Sequence, residues 1–268
     1  MALAEYLLVF VAGLIMALGT GLGTVPLFFL NEVGDRLNVG LWGLAGGLMA
    51  SASVFGLLFE AWKKHTTLLM GGAGVLGGVI LVVLAHQVID RMDTDPDAHD
   101  IAEGDFSTLA NIFFVLFVHS FPEGIAVGVS FAELNGSNGV HLLGFTIPVI
   151  AIIMTLTLAI HNMPEGVTVA VPLLGEDSYG KARTFGAAVF TSLPQPIGAV
   201  VAFYFVNIAQ QFLGFGYGFA AGAMLFLVAQ DVLPEGLEAG EALPNPRWVL
   251  GAGFAIGVIA MVPLLFIL

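Results

Sequence analysis

The sequence predicts an all-α integral membrane protein, and three observations carry that prediction. Of 268 residues, 58% are hydrophobic and only 10% are charged, against about a quarter charged in soluble domains. The apolar residues gather in continuous runs long enough to cross a bilayer, which takes about 20 residues per helix. Those runs are apolar all round, whereas a membrane barrel would show short alternating segments. Helices and closed barrels are the two structures that satisfy their backbone inside lipid, so helices are expected. The same composition excludes other classes. With no cysteine there is no disulfide framework, thiolate zinc site or thiol nucleophile. Seven cations against 20 acids, a net charge of −13, supply no basic surface for nucleic acid.

Taken in order, the runs predict eight spans in one domain, residues 1–268. The first, 6–30, lacks a basic leader and a small-residue cleavage site, so it is expected to be retained. A polar turn with Asn31, Glu32, Asp35 and Arg36 separates it from the second, 37–59, which ends at Glu60, Lys63 and Lys64. The third, 66–89, stops at an acidic loop, 90–105, carrying Asp93, Asp95, Asp97, His99, Asp100, Glu103 and Asp105. That loop reads first as a solvated acidic segment and second as a weak metal collector. The fourth span, 106–132, contains His119 and Glu123, and the loop Asn135-Gly136-Ser137-Asn138-Gly139 leads to the fifth, 143–172. The uncharged stretch Thr184–Gln230 holds two crossings, 184–206 and 211–232, hinged near Asn207–Gly216. Trp248 opens the last, 248–268, with an aromatic suited to the membrane interface.

An even count puts both termini on one side. That side receives Lys63 and Lys64, while the other receives Arg36, Arg91, Lys181, Arg183 and Arg247. The positive-inside rule therefore places the termini outside and the acidic loop in the cytoplasm. Thirty-five glycines, in runs such as Gly71-Gly72-Ala73-Gly74, allow helices to approach closely. They fit tight packing, and equally a bundle whose parts slide.

The chemistry concentrates at two carboxylates deep in the spans, Glu123 and Glu165, each preceded by a histidine four residues earlier, His119 and His161. A charged carboxylate in a membrane costs at least a few kcal/mol, so it faces a partner or a wet cavity. The segments His119-Ser-Phe-Pro-Glu-Gly and His161-Asn-Met-Pro-Glu-Gly repeat at an offset of 42 residues. The four-residue spacing sets imidazole and carboxylate one turn apart on one helix face. Pro122 and Pro164 each remove a helical hydrogen bond, releasing the carbonyls of Val118 and Ile160, and with the glycine that follows they are expected to open each helix. Two imidazoles and two carboxylates suit zinc or a neighbouring first-row dication. A duplicated motif argues against mere local His–Glu pairing.

These paired segments resemble the fourth and fifth spans of the ZIP (Zrt/Irt-like) metal transporter family, and the span count and external termini agree with it. The resemblance implies a 3+2+3 inverted-repeat bundle in a plasma membrane, an elevator-like shift of the metal-bearing helices, and many members as homodimers. It implies a divalent cation moved toward the cytoplasm by alternating access: zinc foremost, with Fe2+, Mn2+ and Cd2+ as other bound substrates and no catalytic cofactor. A prokaryotic source is expected. By motif position, His119, Glu123, His161 and Glu165 would hold the metal. An adjacent second metal would fall on Ser120, Asn162 and Gln195, where this chain has neutral side chains, so weak binding is expected there. Met49 resembles a methionine that approaches the first metal, and it fits core packing equally well. Gln230, Asp231 and Glu235 correspond to polar residues at the cytoplasmic exit. The remaining histidines, His65, His86 and His141, lie near span ends and read as interfacial.

Another class competes. An intramembrane zinc-dependent hydrolase could use a metal-bound water with Glu123 or Glu165 as base. The near-symmetry of the two motifs suits a pathway better than an acid and a base with distinct roles. A haem carrier would leave both glutamates unexplained.

Overall fold

The computed structural model describes residues 3–29, 34–63, 68–91, 120–137, 139–174 and 180–265. It is all-α apart from one hairpin, and six of its helices are long and apolar enough to cross a membrane. The protein is a multi-pass membrane protein. Helix α1 runs Leu3–Thr24 and ends in a 3-10 turn, Val25–Phe28. Helix α2 spans Asp35–Lys63, α3 Leu68–Arg91, and the described part of α4 covers residues 120–130. Strands β1 (Val140–Leu142) and β2 (Phe145–Ile147) pair antiparallel across a tight turn. There Leu143 and Gly144 both have positive φ, 53° and 83°, as a two-residue hairpin turn with the twist of its strands requires. Helix α5 covers Val149–Leu174, α6 Lys181–Ile208, α7 Gln210–Glu238 and α8 Pro246–Leu265.

Two helices carry π-helical stretches, Ala52–Leu58 in α2 and Val228–Val232 in α7. Each has a local cause. In α2 the Ser53 hydroxyl donates to the Met49 carbonyl at 2.8 Å, competing with the backbone ladder. In α7 Pro234 stands two residues beyond the stretch and has no N–H to give the Gln230 carbonyl within it. Helix α6 is interrupted at Ser192–Leu193, just before Pro194 and Pro196, and that break sets Gln195 at the start of its second segment.

The helices pack as two groups. In one, α1 lies against α5 and α6, and α4 lies against α6; in the other, α2 lies against α8 and α7 against α3 and α2. Glycines four residues apart make these pairings. A Cβ at Gly19 or Gly23 would meet the backbone of Ala159 or Met163, and one at Gly124 or Gly128 would meet that of Gln195 or Ala199. Such small-residue stripes let membrane helices touch backbone to backbone. Among the described glycines, every such tertiary backbone contact falls inside a group. Where the groups meet, the neighbours are side chains: a Cβ at Gly56 would stand 3.3 Å from the Met154 sulfur, one at Gly216 would stand 3.3 Å from Val129 Cγ2, and Thr157 Oγ1 donates to the Met261 sulfur at 3.4 Å. An apolar cleft of about 480 Å³, lined among others by Phe121, Ile125, Val129, Phe205 and Phe219, follows this seam between α4, α6 and α7.

The contacts also repeat residue by residue. Gly43 meets the backbone of Leu250, and 175 positions later Gly218 meets that of Gly71, itself 179 positions before Leu250. The same two offsets relate Gly47–Phe254 to Gly222–Val75, Gly253–Gly40 to Gly74–Phe215, and Gly257–Leu44 to Gly78–Phe219. In the other group, Gly166 against Thr20 matches Gly124 against Gln195, and Gly23 against Met163 matches Gly198 against Phe121. These pairs keep the offset of 175 from α1 to α6, with the motif's own offset of 42 between α4 and α5. Helices α1–α3 thus recur as α6–α8 around the α4/α5 pair, which is the 3+2+3 arrangement. The π-helical stretches of α2 and α7 overlap under the same shift.

Candidate metal centre

The glycine that follows each Pro-Glu does not open its helix as the sequence suggests. Helix α5 runs unbroken through Pro164, and Gly166 is where the α1 backbone at Thr20 comes in; Gly124 receives the α6 backbone at Gln195 in the same way. The glycines therefore bring α1 and α6 close to the two glutamates. His161, on α5, is fully buried, and Glu123, on α4, is 2% exposed. The Glu165 side chain, one turn beyond His161, keeps 27% of its surface.

Ligand atoms of Glu123, His161 and Glu165 lie within 4.8 Å of one another. His161 Nε2 stands 3.2 Å from Glu165 Oε1 and 3.4 Å from Glu123 Oε1, and neither contact has hydrogen-bond geometry. For a tetrahedral zinc with bonds near 2.0–2.1 Å, neighbouring ligand atoms stand about 3.3 Å apart. The donor set and its spacing therefore fit a small dication, and two carboxylates balance its charge. His161 Nδ1 is likewise buried without a hydrogen-bond partner among the described residues.

A chain of amides adjoins this cluster. Gln195 Nε2 donates to Glu123 Oε2 at 2.6 Å, Asn162 Nδ2 donates to Gln195 Oε1 at 3.0 Å, and Asn162 Nδ2 also donates to the Met16 carbonyl of α1 at 3.0 Å. Both amides are fully buried. Ser120 is buried one turn before Glu123, its hydroxyl 3.5 Å from the Thr191 carbonyl. This contact is the repeat partner of Asn162–Met16, since the same offsets relate them.

The other expected residues are placed less centrally. His119 and the acidic residues from Asp93 to Asp105 lie outside the described residues. Met49 is buried in the hydrophobic core on α2, in the other helix group. Gln230 and Asp231 fall in the π-helical stretch of α7, with Glu235 one turn on. Asp231 has a partner that sequence reasoning missed: His86 Nε2 lies 3.0 Å from Asp231 Oδ1, and His86 Nδ1 faces the Val82 carbonyl at 2.9 Å. Periodicity gave no signal for a pair 145 positions apart.

No family model matches the chain. Among curated proteins it is 35% identical over 87% of its length to a protein of Arabidopsis thaliana that carries a provisional zinc-transporter name, and it spans only 35% of that protein. It is 31% identical to the zinc transporter ZupT of Corynebacterium aurimucosum, over 90% of this chain and 91% of that one. It is 28% identical to the zinc transporter GufA of Myxococcus xanthus, over 93% and 96%.

Proposed function

We propose, from the premise that the chain belongs to the ZIP family of metal transporters, that it carries a divalent cation, zinc foremost, across a plasma membrane toward the cytoplasm. One observation carries the reading: a histidine and two glutamates from neighbouring helices converge, buried, at the spacing of a small metal's ligands. In this reading His161 and, from the first motif copy, His119 supply imidazole nitrogens. Glu123 and Glu165 supply the two negative charges that let a dication lose its water without leaving net charge in the bilayer. Glu165, the more exposed carboxylate, is the one that meets the hydrated ion.

Alternating access then follows from the two groups. The group holding the site, α1, α4, α5 and α6, moves as a body along the side-chain seam against α2, α3, α7 and α8. On the cytoplasmic side Gln230, Asp231 and Glu235 receive the ion, with His86 orienting Asp231. Both termini lie outside, and the working unit is a homodimer. Zinc-65 uptake into proteoliposomes tests the reading, with wild type beside Glu123→Gln and His161→Ala. Uptake by the wild type that both variants abolish is expected. Zinc binding without uptake by the wild type would refute transport and turn attention to a metal-bound hydrolytic water.

A further inference from the structure

The hydrogen-bond directions in the amide chain are forced by its two ends. The Glu123 carboxylate and the Met16 carbonyl both accept only, so Gln195 must turn its nitrogen to Glu123 and Asn162 its nitrogen to Met16. The Gln195 oxygen then has to face the second hydrogen of Asn162, as it does. The result divides Glu123. Its Oε2 is committed to a short hydrogen bond of 2.6 Å, and its Oε1 is the atom turned toward His161.

The repeat shows that this commitment is one-sided. The offset that maps Gly198 onto Gly23 maps Gln195 onto Thr20, whose hydroxyl is paired with Ser192 Oγ at 2.6 Å. The place beside Glu165 equivalent to that of Gln195 therefore holds no amide, and Glu165 is the more exposed of the two carboxylates, 27% against 3%. We infer that Gln195, braced by Asn162, is a positioning residue that holds Glu123 as a one-oxygen ligand and thereby sets the site's preference for zinc over larger divalent cations. The inference rests on the metal-binding reading above. Zinc is satisfied by four ligands in a tetrahedron, whereas Mn2+ takes six oxygen-rich ligands, and Cd2+, a larger ion, also accepts higher coordination. A carboxylate whose second oxygen is held by an amide offers that oxygen less readily, which costs the larger ions more than zinc.

The test measures binding to the purified full chain in detergent, by competition with a fluorescent chelator, for zinc, manganese and cadmium in turn. Gln195→Leu keeps the volume and removes the donor. The zinc-to-manganese and zinc-to-cadmium affinity ratios are expected to fall about 10-fold, the low end of the change in affinity that losing a partner behind a metal ligand brings. X-ray absorption at the zinc edge of the wild type should show four ligands. Ratios unchanged in Gln195→Leu, or five or more ligands in the wild type, would overturn the inference; the second result needs no variant to fold. A wild type that binds no zinc, or zinc binding that survives Glu123→Gln and Glu165→Gln together, would instead remove the metal-binding reading itself.

Discussion

Adding one methyl group at each of two glycines tests whether the contacts inside a helix group are fixed while those on the seam can slide. At Gly128 a Cβ would meet the Ala199 carbonyl oxygen and lie 2.8 Å from Ala202 Cβ, between α4 and α6 of one group. Carbon atoms settle at about 3.5–4.0 Å, so α6 would have to retreat by roughly 0.7 Å or more. Overpacking of that kind costs about 1–3 kcal/mol, and the better helix propensity of alanine returns about 0.5–1 kcal/mol. Gly128→Ala is therefore expected to lose about 1–2 kcal/mol, or roughly 2–8 °C in Tm. At Gly216, on the seam, the nearest atoms are the tips of Val129 and Val206 at 3.3–3.7 Å. Rotation of a side chain accommodates that, so Gly216→Ala is expected to hold its Tm or gain slightly. Thermal unfolding of both variants in one detergent, followed by size-exclusion chromatography, gives the comparison. Uptake per folded molecule should be preserved in Gly128→Ala and slowed in Gly216→Ala. Equal losses of stability at the two positions would refute the division into two bodies.

Two further outcomes concern the hairpin side of the molecule. Asn135 has a φ of 64°, donates to Glu5 Oε1 at 3.0 Å and accepts from the Thr146 N–H at 3.1 Å. Asn135→Gly should lose those bonds and some chain entropy, while Asn135→Ala loses the bonds and adds a larger left-handed strain of about 1–2 kcal/mol, so Ala should unfold at the lower temperature. Leu143, 79% exposed with a φ of 53°, pays the same strain in the native chain. Leu143→Asn should raise stability by about 1 kcal/mol, read by the same thermal assay.

The repeated His-x-x-Pro-Glu-Gly segments made the core of the candidate site legible, because two buried carboxylates at matching places are costly without a common partner. All-helical architecture was legible for the same kind of reason: long, uniformly apolar runs leave the backbone no other solution in lipid. The amide relay was not legible, since its far end is a backbone carbonyl on α1, 146 positions before Asn162. The role of Gly124 and Gly166 was misread for a related reason. A glycine after proline suggests local opening, and only the neighbouring helix reveals that it makes room for another backbone. The hairpin escaped because its strands are three residues long, too short to show alternation.

The two motif copies within this one chain amount to an internal mutagenesis record. Between residues 119–128 and 161–170 the histidine, proline, glutamate and following glycine are the same, while Ser120 has become Asn162, Phe121 has become Met163 and Gly128 has become Ala170. The invariant glycine is the one pressed on both sides by a peptide group, Gln195 for one copy and Thr20 for the other. Gly128 also meets main chain, at Ala199, yet its counterpart is Ala170, so the glycine kept in both copies is the one beside the glutamate. Each half of the molecule serves as the control for the other, and at Gln195 against Thr20 the two halves meet their glutamates with different side chains.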